Sequence, residues 1–405
     1  MNFKSNIGMT NNRYIVLIAG MVVQLCAGTL YMWSVYKGPV ADHLNWNSSA
    51  SGLTSSFMLV AFVAGILIGG RLMDIVGPRI MCIAGSLTMS LGILISAFVP
   101  SDYPQLIYLT YGIIGGFGVG TVYTCTVSPI QKWFFDRKGF ATGLMVGAFG
   151  FSLVIFTPLA TSLLSSIGVP STFEVFGVAF LVICVLASLV LGNPPEGYVK
   201  SKAPAAVGRK QYTTNEMLRT RTYYLITFSL FFILSAYFVL NPLFKSLGIE
   251  RGLTEDLAVM AIMITGVCSA LGRVAITWIS DNIGRMPSLL LIFVFTLIGV
   301  VLVIFADNYL YIVCLALIAF GFGGAAGIYA TLTADNFGTK NMGSNYGYVM
   351  LGFGASALIF PLLATRIPLT SVFAICAVTC IASLVCVLLL RRFSDTKQNI
   401  AESQA

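Results

Sequence analysis

The residues Phe149 to Phe156 read FGFSLVIF, and the residues Phe353 to Phe360 read FGASALIF. The triplet LAT follows each copy at the same distance, at 159–161 and again at 363–365. Internal repeats of this kind indicate a chain built from related structural units. The two copies therefore predict two related halves, and each copy is expected to occupy the same place in its half.

Around these copies, almost the whole chain is apolar. Of its 405 residues, 57% are hydrophobic and 9% are charged, whereas soluble domains carry roughly 25% charged residues. Apolar segments of about twenty residues, the length that crosses a bilayer, recur twelve times. The predicted spans are 14–36, 52–71, 80–99, 105–127, 140–164, 172–192, 222–243, 257–280, 287–305, 309–331, 345–365 and 370–390. Segments of this length satisfy their backbone polar groups in lipid only as helices, so we predict an all-α membrane protein.

The repeat and the spans together predict two six-helix halves in the same orientation, because each half contains an even number of spans. We expect the first half at 1–192 and the second at 221–405. The residues 193–220 between them contain three prolines and several basic residues. This composition predicts a cytoplasmic linker.

The basic residues fall in alternate loops. With the N-terminus inside, eighteen of the 23 Lys and Arg residues lie on the cytoplasmic side, four lie outside, and Arg273 lies within a span. Cytoplasmic loops of membrane proteins are enriched in Lys and Arg. We therefore predict a multi-pass protein of the cell membrane with both termini in the cytoplasm. This placement also argues against a nucleic-acid partner, despite the net charge of +8.

A short motif follows the second predicted span, and a shorter copy follows the eighth. Its residues are Gly70, Asp74, Gly77 and Arg79, and in the second copy Asp281, Gly284 and Arg285. The motif resembles the one that the major facilitator superfamily carries between helices two and three. The resemblance implies a gating role for Asp74, Arg79, Asp281 and Arg285, since charge contacts at helix ends bias one transporter conformation against another.

Other segments resemble one branch of that superfamily, the oxalate/formate antiporter family, whose cousins include the monocarboxylate transporters. They are Tyr31-Met-Trp33-Ser-Val-Tyr36 in the first span, Lys132-Trp-Phe-Phe-Asp136-Arg137-Lys138-Gly139 after the fourth, Arg273 eight residues before Asp281, and Asn345-Tyr346-Gly347. The resemblance extends over all twelve spans. It implies that Tyr31 and Tyr123 line the substrate site. Tyr329 is added because it ends a Gly-rich span as Tyr123 does.

Arg273 is the only basic residue deep in a predicted span. A charge near the bilayer centre costs about 2.5–3.5 kcal/mol on insertion scales, so a charged residue at this depth indicates a function. The guanidinium fork matches a carboxylate with two parallel hydrogen bonds. We expect Arg273 to bind the carboxylate of a substrate, as the resemblance also implies. A structural tie between two helices is the alternative.

Oxalate carriers of this family have a second cation on helix eleven, and an ungapped match places Phe353 there. We therefore expect Phe353 in the substrate site and one carboxylate per substrate. The predicted function is secondary active transport of a small monocarboxylate of the pyruvate, lactate or formate type by alternating access, coupled to a proton or a counter-anion. The alternatives are an oxalate/formate exchanger, a multidrug exporter and a membrane anion sensor.

Enzymatic chemistry is not expected. The single histidine, His43, lies just outside the first predicted span, and the nine cysteines lie within apolar segments without CxxC spacing. Neither arrangement is typical of a catalytic triad or a zinc site. We therefore predict a monomeric transporter without cofactor or metal, whose partners are its substrate and the lipid bilayer.

The count of basic residues generates a topological prediction. A cysteine introduced beside Lys202 in the linker is expected to react with an impermeant maleimide only in inside-out vesicles or permeabilised cells. A cysteine beside Lys245, on the predicted outer side, is the matched control and should react in intact cells. Reaction of the Lys202 site in intact cells would reverse the orientation.

Overall fold

The computed structural model describes residues 12–195, 198, 210–364 and 368–403. Their secondary structure is helical throughout the apolar segments. In chain order the first elements are α1 (Arg13–Ala27), a 3-10 turn (Gly28–Met32), α2 (Trp33–His43), α3 (Ser48–Val76), α4 (Pro78–Ser96), a π-helical stretch (Tyr108–Gly115), α5 (Gly116–Trp133) and α6 (Lys138–Val190). The first membrane span thus changes helix type at its centre, and the fourth begins as a π-helix.

The second part of the chain continues the pattern. Its elements are α7 (Thr214–Leu218), α8 (Arg221–Leu240), a 3-10 turn (Asn241–Leu243), α9 (Phe244–Glu250), α10 (Glu255–Ile283), α11 (Arg285–Val303), α12 (Asn308–Phe337), α13 (Met342–Val349), α14 (Leu351–Ala364) and α15 (Leu369–Ser403). The eleventh predicted span therefore consists of two short helices, α13 and α14.

The prediction of a twelve-span, all-α membrane fold is confirmed. Eleven helices in the described part of the chain are long and apolar enough to cross a membrane. One of them, α6, has 53 residues and leaves the helical conformation at Gly168, where φ is 78°. At 1.5 Å per residue α6 would be about 80 Å long, more than twice the roughly 30 Å bilayer core. It therefore contains the fifth and the sixth predicted spans.

The chain forms two compact units. Unit 1 comprises Met1–Gln211 and Gly338–Tyr348, and unit 2 comprises Tyr212–Phe337 and Val349–Ala405. The chain thus passes from unit 1 to unit 2 after Gln211, back to unit 1 after Phe337, and into unit 2 again after Tyr348. The division into 1–192, 193–220 and 221–405 stays a prediction. It did not anticipate that the residues of α13 group with the first unit.

Two glycines end the helices that carry the two motif copies. Gly77 follows α3 with φ of 96°, and Gly284 follows α10 with φ of 90°. A side chain is strained in this region of φ, whereas glycine occupies it freely. The next helix begins at once in both cases, at Pro78 and at Arg285. The two motif copies therefore make the same sharp helix–helix turn in the two units.

The Gly-rich spans allow neighbouring helices to cross at close range. In unit 2, a Cβ on Gly323 would overlap the carbonyl oxygen of Ser269, so α12 touches the backbone of α10. In unit 1, a Cβ on Gly120 of α5 would overlap the carbonyl oxygen of Phe62 on α3. Small residues at such crossings are how helices associate in lipid, where no hydrophobic driving force brings them together.

The crossing of α10 and α12 predicts a stability effect. Gly323→Ala places a methyl group against the Ser269 carbonyl, and overpacking of this kind costs about 1–3 kcal/mol. We expect a lower midpoint of thermal unfolding for the purified variant in detergent. Gly266→Ala on α10 is the matched control, because a Cβ there meets no heavy atom within 4 Å. Equal midpoints for the two variants would contradict this account.

Candidate functional site

In unit 1, the structure brings Tyr31 and Tyr123 together through one phenylalanine. Tyr31 lies in the 3-10 turn between α1 and α2, and its ring centroid is 5.7 Å from that of Phe149. The ring of Tyr123 on α5 is 5.4 Å from the same phenylalanine and 5.5 Å from Phe62. The predicted pair therefore belongs to one aromatic cluster, in which the rings meet edge to face as aromatic pairs prefer.

Tyr346 completes this cluster and was not predicted as a site residue. Its hydroxyl is 3.4 Å from that of Tyr123, and its side chain is fully buried. The Asn345-Tyr346-Gly347 segment contained the signal, since Tyr346 is its central residue. Phe149 was also missed, although it is the first residue of the repeated octet. The Asn345-Tyr346-Gly347 segment indicated a family resemblance, and the octet indicated an internal repeat. Neither pattern indicates which side chains come into contact.

Gln24 is a buried polar residue of unit 1 that sequence reasoning passed over. Its side chain is fully buried, and its Nε2 donates to Thr126 Oγ1 at 2.8 Å and to the carbonyl oxygen of Tyr123 at 3.4 Å. These bonds join the last turn of α1 to α5 at Tyr123 and Thr126. The amide therefore holds the helix that carries Tyr123 against the first span.

In unit 2, Arg273 lies within α10 and is 3% exposed. Its backbone is part of the tight crossing with α12, because a Cβ on Gly327 would lie 3.1 Å from the Arg273 carbonyl oxygen. Gly323 meets Ser269 one helical turn earlier on α10. Gly323 and Gly327 of α12 therefore allow that helix to pack closely against α10 at the turn that carries Arg273.

Phe353 stands at one end of an aromatic wall in unit 2. Its ring centroid is 5.4 Å from that of Phe238, which is 5.5 Å from Phe322. Phe322 is stacked on Tyr237, with centroids 3.9 Å apart and planes 16° apart. Phe353 and Phe238 are buried, at 4% and 7% exposure. The wall joins α8, α12 and α14, and of its four members the sequence predicted only Phe353.

Tyr329 has the contacts of a helix-packing residue. Its hydroxyl is 2.8 Å from Ser229 Oγ on α8, and Ser383 Oγ of α15 donates to the Ser229 carbonyl oxygen. The Tyr329 side chain also lines a small crevice with residues of α11 and α15, among them Ile292 and Val387. A role for Tyr329 in substrate binding stays a prediction. The contacts seen here join α12 to α8 and α15.

Asp74 binds the beginning of α13 within unit 1. Its two carboxylate oxygens accept hydrogen bonds from the backbone N–H groups of Gly343 at 3.2 Å and Ser344 at 2.7 Å. A carboxylate at a helix N-terminus satisfies donors that lack partners within the helix and interacts favourably with its dipole. Arg79, the basic residue of the same motif, donates from Nε to the Leu191 carbonyl oxygen at 3.3 Å.

The second motif copy uses its aspartate differently. In unit 2, Arg285 Nη1 is 2.8 Å from Asp281, and its Nε is 2.8 Å from Asp335. Asp335, near the end of α12, was not predicted, because nothing in the motif points to it. One copy therefore caps a helix with a carboxylate, while the other places an arginine between two carboxylates.

The described part of the chain contains no group of three His, Cys, Asp or Glu residues arranged to hold a metal ion. The polar side chains described above include a buried arginine, a buried glutamine, tyrosine hydroxyls and helix-end carboxylates. Groups of these kinds can bind an anion and can hold or release helix ends.

Comparison with known proteins decides the family. The model of the Major Facilitator Superfamily matches residues 16–361. The chain belongs to this superfamily. It is therefore a multi-pass membrane transporter and not an enzyme, and the sequence resemblance to the oxalate/formate antiporter branch is confirmed by its relatives.

Three relatives are similar over different lengths. The chain is 27% identical to the oxalate:formate antiporter of Oxalobacter formigenes over 92% of this chain and 90% of that protein. It is 25% identical to the uncharacterized MFS-type transporter YhjX of Escherichia coli over 85% and 86%, respectively. Monocarboxylate transporter 2 of Rattus norvegicus is 28% identical over 46% of this chain and 37% of that protein.

A solved structure shares the fold. The transporter FucP, crystallised in an outward conformation, superposes with a TM-score of 0.72 and covers 94% of this transporter and 99% of its own chain. The two sequences are 14% identical. The similarity establishes the twelve-span architecture, and it carries no argument about the substrate.

Proposed function

We propose that this transporter moves a small monocarboxylate across the cell membrane by alternating access, with Arg273 as the anchor of the carboxylate. The observation that carries the proposal is the burial of Arg273, at 3% exposure in the middle of α10. Intramembrane ionisable residues are rare and usually functional, because a charge away from water is costly. Under this proposal, the negative charge of a carboxylate substrate compensates the positive charge of the guanidinium.

The chemistry of arginine suits a carboxylate substrate. Its planar guanidinium presents parallel N–H donors that match the two oxygens of a carboxylate, and it remains charged at any physiological pH. The relatives support the same class of substrate, since one is named as an oxalate:formate antiporter and another as a monocarboxylate transporter. Oxalate, formate and the monocarboxylates as a class all carry carboxylate groups.

Charge counting supports a monocarboxylate over oxalate. A dianion in a site away from water needs two compensating cations, because each uncompensated charge bears a large desolvation cost. The position that resembles the second cation of oxalate carriers is Phe353, which is buried against Phe238. Under this proposal one arginine balances one carboxylate, and the aromatic wall faces the apolar part of the substrate.

We propose gating roles for both motif copies. Asp74 holds the N-terminus of α13, and Arg79 holds the end of α6 through Leu191. Asp281 and Arg285 form a half-buried pair in unit 2. In each motif copy, charged side chains form hydrogen bonds at a helix end. Under this proposal, these bonds are made in one conformation of the transporter and broken in another.

In this proposal, a proton or a counter-anion is coupled to movement of the substrate. The transporter acts as a monomer, and both of its termini lie in the cytoplasm. The resemblance to the monocarboxylate transporters implies an aspartate one turn before the arginine, and here Ser269 occupies that position. The proton, where one is used, therefore takes another route. Exchange of oxalate for formate is the second candidate, favoured by the similarity to the Oxalobacter antiporter over 92% of this chain.

The role of Arg273 is tested by substitution. Arg273→Gln keeps a polar side chain that can donate hydrogen bonds but loses the charge and the guanidinium fork, so we expect uptake of labelled substrate into proteoliposomes to fall at least a hundredfold. Arg273→Lys should also fail, since a point charge does not replace the guanidinium fork. Arg251→Gln, which removes an arginine from a partly exposed pair with Asp307, is the matched control.

Normal saturable uptake by Arg273→Gln would refute the anchor. The same measurement separates a carrier from a sensor, because a protein that binds an anion without moving it gives no flux. A multidrug exporter would instead move apolar cations through the parent protein. Size-exclusion profiles of all variants establish that loss of uptake is not loss of folding.

The choice between one and two carboxylates is tested by competition. We expect pyruvate, lactate and formate to compete with the labelled substrate at lower concentrations than oxalate does. Phe353→Lys supplies a second cation and is expected to improve competition by oxalate about tenfold. Phe353→Met, a neutral change of similar volume, is the control. Stronger competition by oxalate in the parent protein would support the exchanger instead.

A further inference from the structure

Two side chains hold the segment that precedes and begins α13. The N–H groups of Thr339 and Lys340 both donate to Oε1 of Gln211, at 2.9 Å and 3.0 Å. A few residues later, Asp74 accepts the N–H groups of Gly343 and Ser344. Four backbone donors in six residues are thus bound by one residue of α3 and one residue of the chain before α7. Gln211 has no place in the motifs that predict gating.

Gly338 shapes this segment around the glutamine. Its φ is 83°, a region that glycine occupies without strain. A Cβ at this position would overlap the terminal amide of Gln211, so the amide lies directly against the glycine backbone. The loop therefore has both the conformation and the space to present two successive N–H groups to one oxygen. Backbone arrangements of this kind form small concave sites for an acceptor.

The neighbour of Gln211 is held in unit 2. The N–H of Tyr212 donates to the Phe337 carbonyl oxygen at 2.9 Å, and the rings of these two residues meet edge to face at 5.7 Å. Thr213 then caps α7 through a reciprocal pair of bonds with Glu216. The chain passes between the units after Gln211 and again after Phe337. Gln211 is therefore the last residue of unit 1 before the chain first enters unit 2, and its neighbour Tyr212 is bonded to Phe337, the residue at which the chain next leaves unit 2.

We propose that Gln211 is a positioning residue of the gate, which holds the 339–340 backbone so that the N-terminus of α13 stays on Asp74. This inference rests on the gating role proposed above for Asp74. Its chemical basis is acceptance by a single oxygen. A carboxylate in place of the amide retains the acceptor, whereas alanine removes it. The linker thereby takes part in the conformational cycle as well as joining the two halves.

The experiment measures exposure of α13 without any substrate. Met342, the first residue of α13, is fully buried, so Met342→Cys reports release of the helix through its rate of reaction with a small maleimide. Adding Gln211→Ala is expected to raise this rate about fivefold, which corresponds to about 1 kcal/mol at 1.4 kcal/mol per tenfold change. Gly338→Ala, which pushes the amide away, should raise it similarly.

Two control variants distinguish loss of the Gln211 acceptor oxygen from a nonspecific effect of substitution in this segment. Gln211→Glu keeps an oxygen for both donors and should leave the rate near that of the parent. Asn215→Ala removes another exposed amide four residues away and should also leave it unchanged. Native Cys82, fully buried on α4, reports loosening of unit 1 as a whole.

Three results would overturn the proposal. They are an unchanged rate in Gln211→Ala, an equal rise in Gln211→Glu, and a parallel rise at Cys82. The readout does not depend on the substrate or on Arg273. Normal uptake by Arg273→Gln would refute the anchor while leaving this test intact, and a failed test would leave the anchor untouched.

Discussion

The bilayer does not hydrogen-bond to the backbone, and the rest of this structure depends on that constraint. Each N–H and C=O group at membrane depth needs a partner within the protein, so the spans are helices and the helices must be long. Because lipid is as apolar as the side chains, helices associate through close contact rather than through burial from water. Gly120 and Gly323 show the result, since each lies against a backbone carbonyl of the facing helix.

Departures from regular helix coincide with the side chains of interest. Tyr31 lies in a 3-10 turn inside the first span, and the fourth span begins with a π-helical stretch before it reaches Tyr123. Irregular helical turns are common at functional positions, because they redirect side chains that a regular helix would place elsewhere. In unit 1 this redirection brings the 3-10 turn against Phe149, which also contacts Tyr123.

The two motif copies show how one sequence pattern supports different contacts. Gly77 and Gly284 make equivalent turns, yet Asp74 binds backbone donors and Asp281 binds a guanidinium. The difference comes from what the fold brings to each aspartate: the start of α13 in unit 1, and Arg285 followed by Asp335 in unit 2. Internal repetition therefore predicts the position of a charge and leaves its partner undetermined. The same applies to Tyr123 and Tyr329, which end similar spans and have different neighbours.

The sequence by itself determined the membrane class and the twelve helices, and it predicted the duplicated halves and a role for Arg273. These follow from local properties, namely apolar length, repetition and the cost of a charge in lipid. Only the tertiary structure decided that Phe149 joins Tyr31 to Tyr123, that Tyr237 and Phe238 accompany Phe353, and that Gln211 holds the segment before α13. Such contacts join residues tens to hundreds of positions apart in the chain. They depend on which face of each helix meets its neighbour, and close packing of the assembled helices decides that.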